Sequence, residues 1–317
     1  MKEKQKIKVL WLPSWFPHRG YTLYGNFIEK QAKAVAHYCE VAVLFLTAEK
    51  GLKKEEVVVS EADFLRILVY YPASNNVFLK VFFFLRATRK GLKTLEKRDF
   101  TPDMTHLHII TLSSIVALYF RLVKKCPFVI TEHWSEFNNR KPKNMAWFRR
   151  LSFRFVSYFS SKILAISDYF LASLRLHGIK GDSTVIPNIV DVEVFCPPRV
   201  KTQNDVFQLL HISHLHDQHK NISGILRGIK SLSEKRQDFH LTIVGPLERH
   251  EQHELLANEL IISHLVSFKD VMTYDKVADQ MQKAMFLFYS VTEKAYLLCC
   301  WRHFLLAYPL WFQKQAA

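Results

Sequence analysis

Carboxylates are the scarce charge in this chain: 29 Asp and Glu stand against 44 Lys and Arg in 317 residues, a formal net charge of +15 at pH 7. The imbalance favours an anionic partner, such as a nucleotide phosphate, a nucleic acid or an acidic membrane surface, without choosing among them. A second lack argues against nucleic acid, because no zinc knuckle or other recognisable module occurs and the basic residues sit mostly on helices of the first half. Cysteine is sparse and odd in number: Cys39, Cys126, Cys196, Cys299 and Cys300 show no CxxC spacing. A disulfide framework is therefore not expected, and a reducing compartment is. Long apolar runs are missing too. Residues 1–13 are basic, then apolar for only a few positions before Pro13, too short for a signal-peptide core. The apolar stretch 296–312 is interrupted by Arg302, His303 and Pro309 and does not read as a membrane span. The expectation is a cytoplasmic protein, with a place on the inner face of the cell membrane as the peripheral alternative. Hydrophobic residues, at 49%, are not lacking, and the length suits two domains with cores of their own.

The first half reads as alternating strands and helices. Residues 7–12 are a continuous apolar run ending at Pro13, the pattern of a central parallel strand buried on both faces. A polar, aromatic loop over 14–26 with Gly20 and Gly25 leads into a helix over 27–38 and a second strand over 40–46, so the chain opens with a βαβ unit. Residues 55–71 alternate as a strand or hairpin closed by Pro72. The spacing predicts a helix over 76–97 with Val77, Phe78, Val81, Phe82 and Leu85 facing inward and Lys80, Arg86, Arg89, Lys90 and Lys93 in solvent. Residues 104–110 form a buried strand carrying His106 and His108, and the strand over 127–131 delivers Glu132, His133 and Trp134 to its carboxyl end. Side chains at that position project into the cleft of a doubly wound sheet, which makes His133 a candidate for chemistry as well as for a structural role. Over 138–162, cations including Arg149, Arg150 and Arg154 flank an apolar stripe of Trp147, Phe148, Leu151, Phe155 and Phe159. Two readings stay open there: a segment lying at an anionic membrane surface, or an ordinary amphipathic helix packed on its own domain with snorkelling arginines.

Residues 187–198, with prolines at 187, 197 and 198, are followed by the polar stretch 199–205, the best boundary in the chain. The expected domains are 1–197 and 198–317. Residues 206–229 then read as a buried strand, a polar loop over 214–221 and the opening of a helix. Such loops lie where ligands bind in open α/β sheets, and the following helix would offer unpaired N–H groups to an anion. Lys220 sits where it meets a phosphate on that reading, and is a solvated loop lysine on the other. The βαβ rhythm continues through strands at 240–244, 266–268 and 285–289. Four histidines, His211, His214, His216 and His219, crowd one tract, but Asp217 is their one acidic neighbour and alternate members face opposite sides, so no metal site is expected.

Several motifs, in order, resemble the GT-B glycosyltransferases of family 4: Tyr24-Gly25-Asn26-Phe27; Pro102-Asp103 with His106-x-His108; Thr131-Glu132-His133-Trp134; 185–191 with Phe195-x-Pro197; 212–215 with Lys220-Asn221; and Ser290-x-x-Glu293. The resemblance implies an α/β protein of two Rossmann-like domains and retaining transfer without a metal or cofactor. The second domain would hold a nucleotide-sugar donor and the first a glycan or lipid-linked acceptor. It implies that His133 and Glu293 are catalytic, and that Lys220, His214 and Gly25 meet the donor phosphates. Tyr24, Asn26, His108 and Asn188 fall on the acceptor side of the cleft. Cationic groups replace the metal by stabilising charge on the departing diphosphate.

Three positions depart from the family's pattern. Ser213 stands where glycine is usual, and His214 where arginine is usual, which weakens phosphate binding because a mostly neutral imidazole cannot make a bidentate contact. The second of two glutamates expected with seven residues between them falls on Trp301, and after Glu293 the expected glycines are lost. The tail is expected to be the product of a shifted reading frame, leaving the second domain incomplete, or else an apolar segment that packs on a partner. In the first case the chain would be a non-catalytic remnant that binds at most an acceptor or a membrane surface.

Overall fold

The computed structural model describes residues 6–22, 24–134, 137, 145–196, 206–291 and 294–299. The chain divides between Ile189 and Val190 into two units, each built on its own sheet.

In the first unit, the apolar run of the amino terminus becomes strand β1 (Lys8–Pro13), followed by helix α1 (Asn26–Ala36) and strand β2 (Glu40–Glu49). A hairpin of β3 (Glu56–Glu61) and β4 (Leu65–Pro72) precedes helix α2 (Val77–Glu96). Then come β5 (Met104–His108), α3 (Ser114–Leu122), β6 (Phe128–Glu132), α4 (Trp147–Phe159), β7 (Lys162–Ala165), α5 (Asp168–Leu176) and β8 (Ser183–Val185). The sheet order is β3-β4-β2-β1-β5-β6-β7-β8, parallel except for the β3–β4 pair. Strand β1 pairs with β2 on one side and β5 on the other, so the chain leaves β1 in one direction and later returns to its opposite edge. Helix α1 covers one face, packing Ile28 and Ala32 against Val9, Trp11 and Val43. Helices α2, α3, α4 and α5 cover the other, their buried residues sharing one core with Leu10, Leu12, Leu44, Leu107 and Ile130.

Helix α2 forms where expected but turns the other way. Phe78, Phe82 and Leu85, expected inward, are exposed, Phe78 to 84%, as is Val77, while Val81 is half-buried. The buried face is Phe84, Ala87, Thr88, Gly91 and Leu95. The reason is the distance of approach: a Cβ on Gly91 would lie 2.5 Å from Leu44 Cδ1 and 3.4 Å from Val69 Cγ2, so the small residues of the helix face the sheet. Asn76 caps the helix, its side chain accepting from the N–H groups of Phe78 and Leu79. Helix α4 likewise buries Phe153, Val156 and Ser157 and leaves Trp147, Phe148, Leu151 and Phe155 exposed, so that apolar stripe does not pack on its own domain. Phe159 is half-buried against the core.

The second unit runs β9 (Phe207–Ile212), a one-turn helix α6 (Asp217–Lys220), α7 (Ile222–Ser233), β10 (Phe239–Val244), α8 (Glu251–Glu259), β11 (Val266–Lys269), α9 (Tyr274–Lys283), β12 (Phe286–Val291) and β13 (Lys294–Cys299). Its order is β11-β10-β9-β12-β13, with β13 antiparallel to β12. Strand β9 occupies the place of β1, with the next strand in sequence on one side and a later strand on the other.

Gly91→Val is expected to destabilise the first unit by about 1–3 kcal/mol, the cost of overpacking a closely fitted site. Phe78→Ser is expected to change stability by less than about 0.5 kcal/mol, as for a surface substitution. Urea denaturation of the two variants checks the outward orientation of α2; the opposite ranking would refute it.

Candidate functional site

The strand order of the first sheet reverses at β1 and β5, and the loops leaving them are stitched together. Ser14 N–H donates to the His108 carbonyl at 3.0 Å, and Ser14 Oγ donates to the Ile109 carbonyl at 3.0 Å. Ile109 itself is held at φ 68°. A β-branched residue in the left-handed region is strained, and such strain persists where the surroundings fix the backbone. Ligands bind outside the carboxyl ends of the strands at such reversal points.

Four ring side chains meet there. His106 and His108 alternate on β5 and so share a sheet face with Trp11 of β1. Trp11 stacks on His108 with centroids 4.2 Å apart, and His106 lies 4.0 Å from His108. His133, just past β6, lies parallel to His108, its Nε2 3.4 Å from His108 Nδ1, with Phe27 edge-on at 4.8 Å. His106 Nε2 pairs with Thr131 Oγ1 at 2.7 Å. Burial lowers His133 to about 4; burial and then the neighbouring His133 lower His106 to about 3; His108 is pushed well below its usual value by burial and then by both neighbours. All three are neutral at pH 7. His108 Nε2, His133 Nδ1 and Trp11 Nε1 are buried without a hydrogen-bond partner. A neutral His133 with an unpartnered Nδ1 has the capacity to donate to or accept from a hydroxyl group, the direction following from which histidine carries the proton they share.

The sequence reading gave Glu132 no role, yet its buried carboxylate ties the site together. Oε2 accepts the Ile110 N–H at 3.0 Å, and Oε1 accepts the N–H groups of His133 and Trp134, each at 3.0 Å. Burial raises its pKa to about 6 even against these three donors. The signal for it was a carboxylate at the end of a strand too apolar to leave it in water.

The other first-unit candidates are placed separately. Gly25 has φ 66°, and a Cβ on it would lie 2.4 Å from the Trp15 carbonyl oxygen, so glycine is required by conformation and by backbone approach. Asn26, half-buried, opens α1. Tyr24 belongs to an aromatic group in the loop after β1, near Trp15, His18 and Tyr21. Asn188 accepts from Gln31 on α1 at 3.0 Å and is not part of the histidine group.

In the second unit the order reverses at β9 and β12, and His214 and Lys220 follow β9. His214 is lowered by burial, then by the charges of Lys220 and Arg249. Arg249, on the turn after β10, escaped the sequence reading, although Gly245-Pro246 marks the same kind of strand end. One expectation is corrected: the start of α7 is not free for an anion. Asp217 Oδ1 accepts the Ser223 N–H at 2.8 Å, Oδ2 accepts the Ser223 hydroxyl at 2.9 Å, and Asn221 Oδ1 accepts the Gly224 N–H at 3.1 Å. The chain's own carboxylate takes the favourable end of the helix dipole. Lys220 lies in the one-turn helix α6 rather than in an irregular loop. Ser213, in place of glycine, pairs with His211 Nε2 at 2.8 Å and accepts the Leu215 N–H at 3.0 Å, and Leu215 takes the left-handed conformation at φ 51°. Glu293 and Trp301 lie outside the described residues. Among the described residues no three His, Cys, Asp or Glu side chains gather as metal ligands.

The profile of Glycosyltransferase Family 4 matches residues 26–194, more than half of the chain. No curated protein matches in sequence. Among solved structures, sucrose-phosphate synthase from Thermosynechococcus elongatus superposes with a TM-score of 0.66 at 15% identity, covering 89% of this chain and 75% of that one. A glycosyltransferase from Rickettsia africae gives 0.63 at 14%, covering 91% and 74%. HepE from Anabaena, solved with UDP and glucose, gives 0.60 at 12%, covering 90% and 74%. These likenesses establish the fold.

Two outcomes are expected. Glu132→Gln should cost about 2–3 kcal/mol, because the amide nitrogen faces backbone N–H groups where an oxygen accepted. The histidines, with folded values below the ordinary 6.5, stabilise the fold above pH 6.5 and lose that contribution as pH falls toward 4. Glu132, raised from 4.5 to about 6, works in the opposite sense, its contribution present below 4.5 and lost as pH rises through 6. Three histidines outweigh one carboxyl, so the urea midpoint should fall from pH 7 to pH 5, and less so in His133→Gln. A midpoint flat over that interval would contradict the buried, neutral cluster.

Proposed function

Because the chain belongs to Glycosyltransferase Family 4, we propose that it moves a sugar from a nucleotide-sugar donor to a glycan or lipid-linked acceptor, with retention at the anomeric carbon and without a metal. The observation that carries this reading is the placement of Lys220 after β9 and Arg249 after β10, with the charge of both holding His214 below its usual value. When the bond from the anomeric carbon to the diphosphate breaks, its electron pair leaves with the phosphate oxygen, and fixed cations stabilise that charge. Lys220 supplies a point charge and Arg249 a planar fork that fits phosphate oxygens. The acceptor hydroxyl bonds to the anomeric carbon, and its proton passes to the departing diphosphate.

The first unit contributes a neutral His133 held by His108 and by the backbone fixed on Glu132. Its unpartnered Nδ1 suits a sugar hydroxyl better than an anion, since a cationic imidazole is disfavoured there by burial. By the resemblance, Glu293 takes the role of the carboxylate near the transferred sugar.

A second reading is favoured by one observation. Where the expected glycines are lost after Glu293, the chain forms strand β13 antiparallel to β12. With Trp301 in place of the second glutamate, the nucleotide ribose loses a hydrogen-bonding partner, and the chain then turns over poorly or serves as a non-catalytic binder of acceptor.

Nucleotide diphosphates tested one at a time at one fixed concentration should stabilise the chain most for the cognate base, by about 2.7 kcal/mol where that concentration is a hundredfold its dissociation constant. Lys220→Gln and Arg249→Gln should each weaken that ligand about tenfold or more. Stabilisation by none of the panel would defeat the donor reading. Rapid sugar transfer from any nucleotide-sugar by the chain as it stands would defeat the non-catalytic one.

A further inference from the structure

Three helices on one side of the first unit's sheet have an unusual outward composition. Helices α2, α3 and α4 all bury their inner residues in the core on one side of the sheet, so their outer sides point the same way. Each outer side carries apolar residues at the spacing of one helical stripe. On α2 these are Phe78, Phe82 and Leu85; on α3, Ile115, Tyr119 and Leu122; on α4, Leu151, Phe155 and Tyr158, with Trp147 one turn before and 76% exposed. Apolar residues scattered singly over a surface need no explanation, but three aligned stripes on one side of a sheet do.

The charge on the same helices names the occupant. They carry five cations on α2, one on α3 and three on α4, against a single carboxylate of their own, Glu96 at the far end of α2; of the α2 cations, Arg86 pairs with Glu55 and Lys90 donates to the Glu55 carbonyl. Along α2 the outward stripe passes from Phe78, Phe82 and Leu85 to Arg89 and Lys93, all exposed. Aromatic rings with long cationic side chains at their margins fit the boundary between acyl chains and anionic headgroups. No helix of the described residues is long and apolar enough to cross a membrane.

We propose that α2, α3 and α4 form a single face that docks the first unit on an anionic lipid bilayer. The aromatic stripes enter the headgroup boundary, and the lysines and arginines meet lipid phosphates. A second copy of the chain is a poorer occupant, because it would bring the same cationic face against itself. The proposal is independent of what either sheet binds.

The test uses the full chain with vesicles of phosphatidylcholine alone and of phosphatidylcholine with phosphatidylglycerol, read by cosedimentation. Binding is expected on the anionic vesicles, to weaken with added salt, and to be at least about tenfold weaker on neutral ones. Arg89→Gln with Lys93→Gln should weaken it by about fivefold per charge, and Phe82→Ser with Trp147→Ser should weaken it at low salt too. Unchanged thermal midpoints would show both double variants folded, as expected for exposed positions. Equal uptake by neutral vesicles, no uptake by either, or folded variants that bind like the parent would each overturn the proposal. So would a concentration-dependent dimer abolished by Phe82→Ser in a chain that ignores vesicles, which would assign the face to a second copy.

Discussion

A parallel strand paired on both edges and buried on both faces imposes the constraint on which the rest of this molecule depends. Strand β1 has β2 on one side and β5 on the other. The connection to β2 crosses one face of the sheet through α1, while the later connections cross the opposite face. The loops that leave β1 and β5 therefore part company, and the gap they leave is lined by whatever those loops carry. Strand β9 repeats the arrangement in the second unit, with β10 and β12 at its edges. Every candidate residue that shares its surroundings with another lies at one of these two places.

The two places are prepared for different chemistry. In the first unit, burial strips charge from the histidines and holds a carboxylate with three backbone donors, giving a neutral hydrogen-bonding site with rings fixed by stacking. In the second, the charges of two cations act on His214, and the Asp217 carboxylate is already committed to the start of α7. A neutral group suits the hydroxyls of a sugar and a cationic group suits a diphosphate. The division follows from burial, since the histidines stand beside a tightly packed sheet face and the cations on a short turn.

Legibility varied with the kind of residue. His108 and His133 stood at strand ends in the sequence, and the fold brings their rings together. Glu132 was passed over because a glutamate beside a histidine is unremarkable until its three backbone donors are known. Arg249 was passed over because its approach to His214 depends on two separate connections, after β9 and after β10. The anion site expected at α7 was misjudged because Asp217, nearby in sequence, fills it. Helix α2 was turned the wrong way for a related reason: the largest apolar residues were taken as the core face, whereas Ala87 and Gly91 let the helix lie against Leu44 and Val69.

The sequence by itself determined the alternation of strands and helices and the family, because apolar period, glycine and proline placement and motif order are local properties of the chain. Which helix side met the sheet, which carboxylate was buried and which cations gathered were decided only in three dimensions. Those outcomes depend on distances between segments far apart in the chain, and a helix that offers apolar residues on both sides leaves the choice to the fit of its small ones.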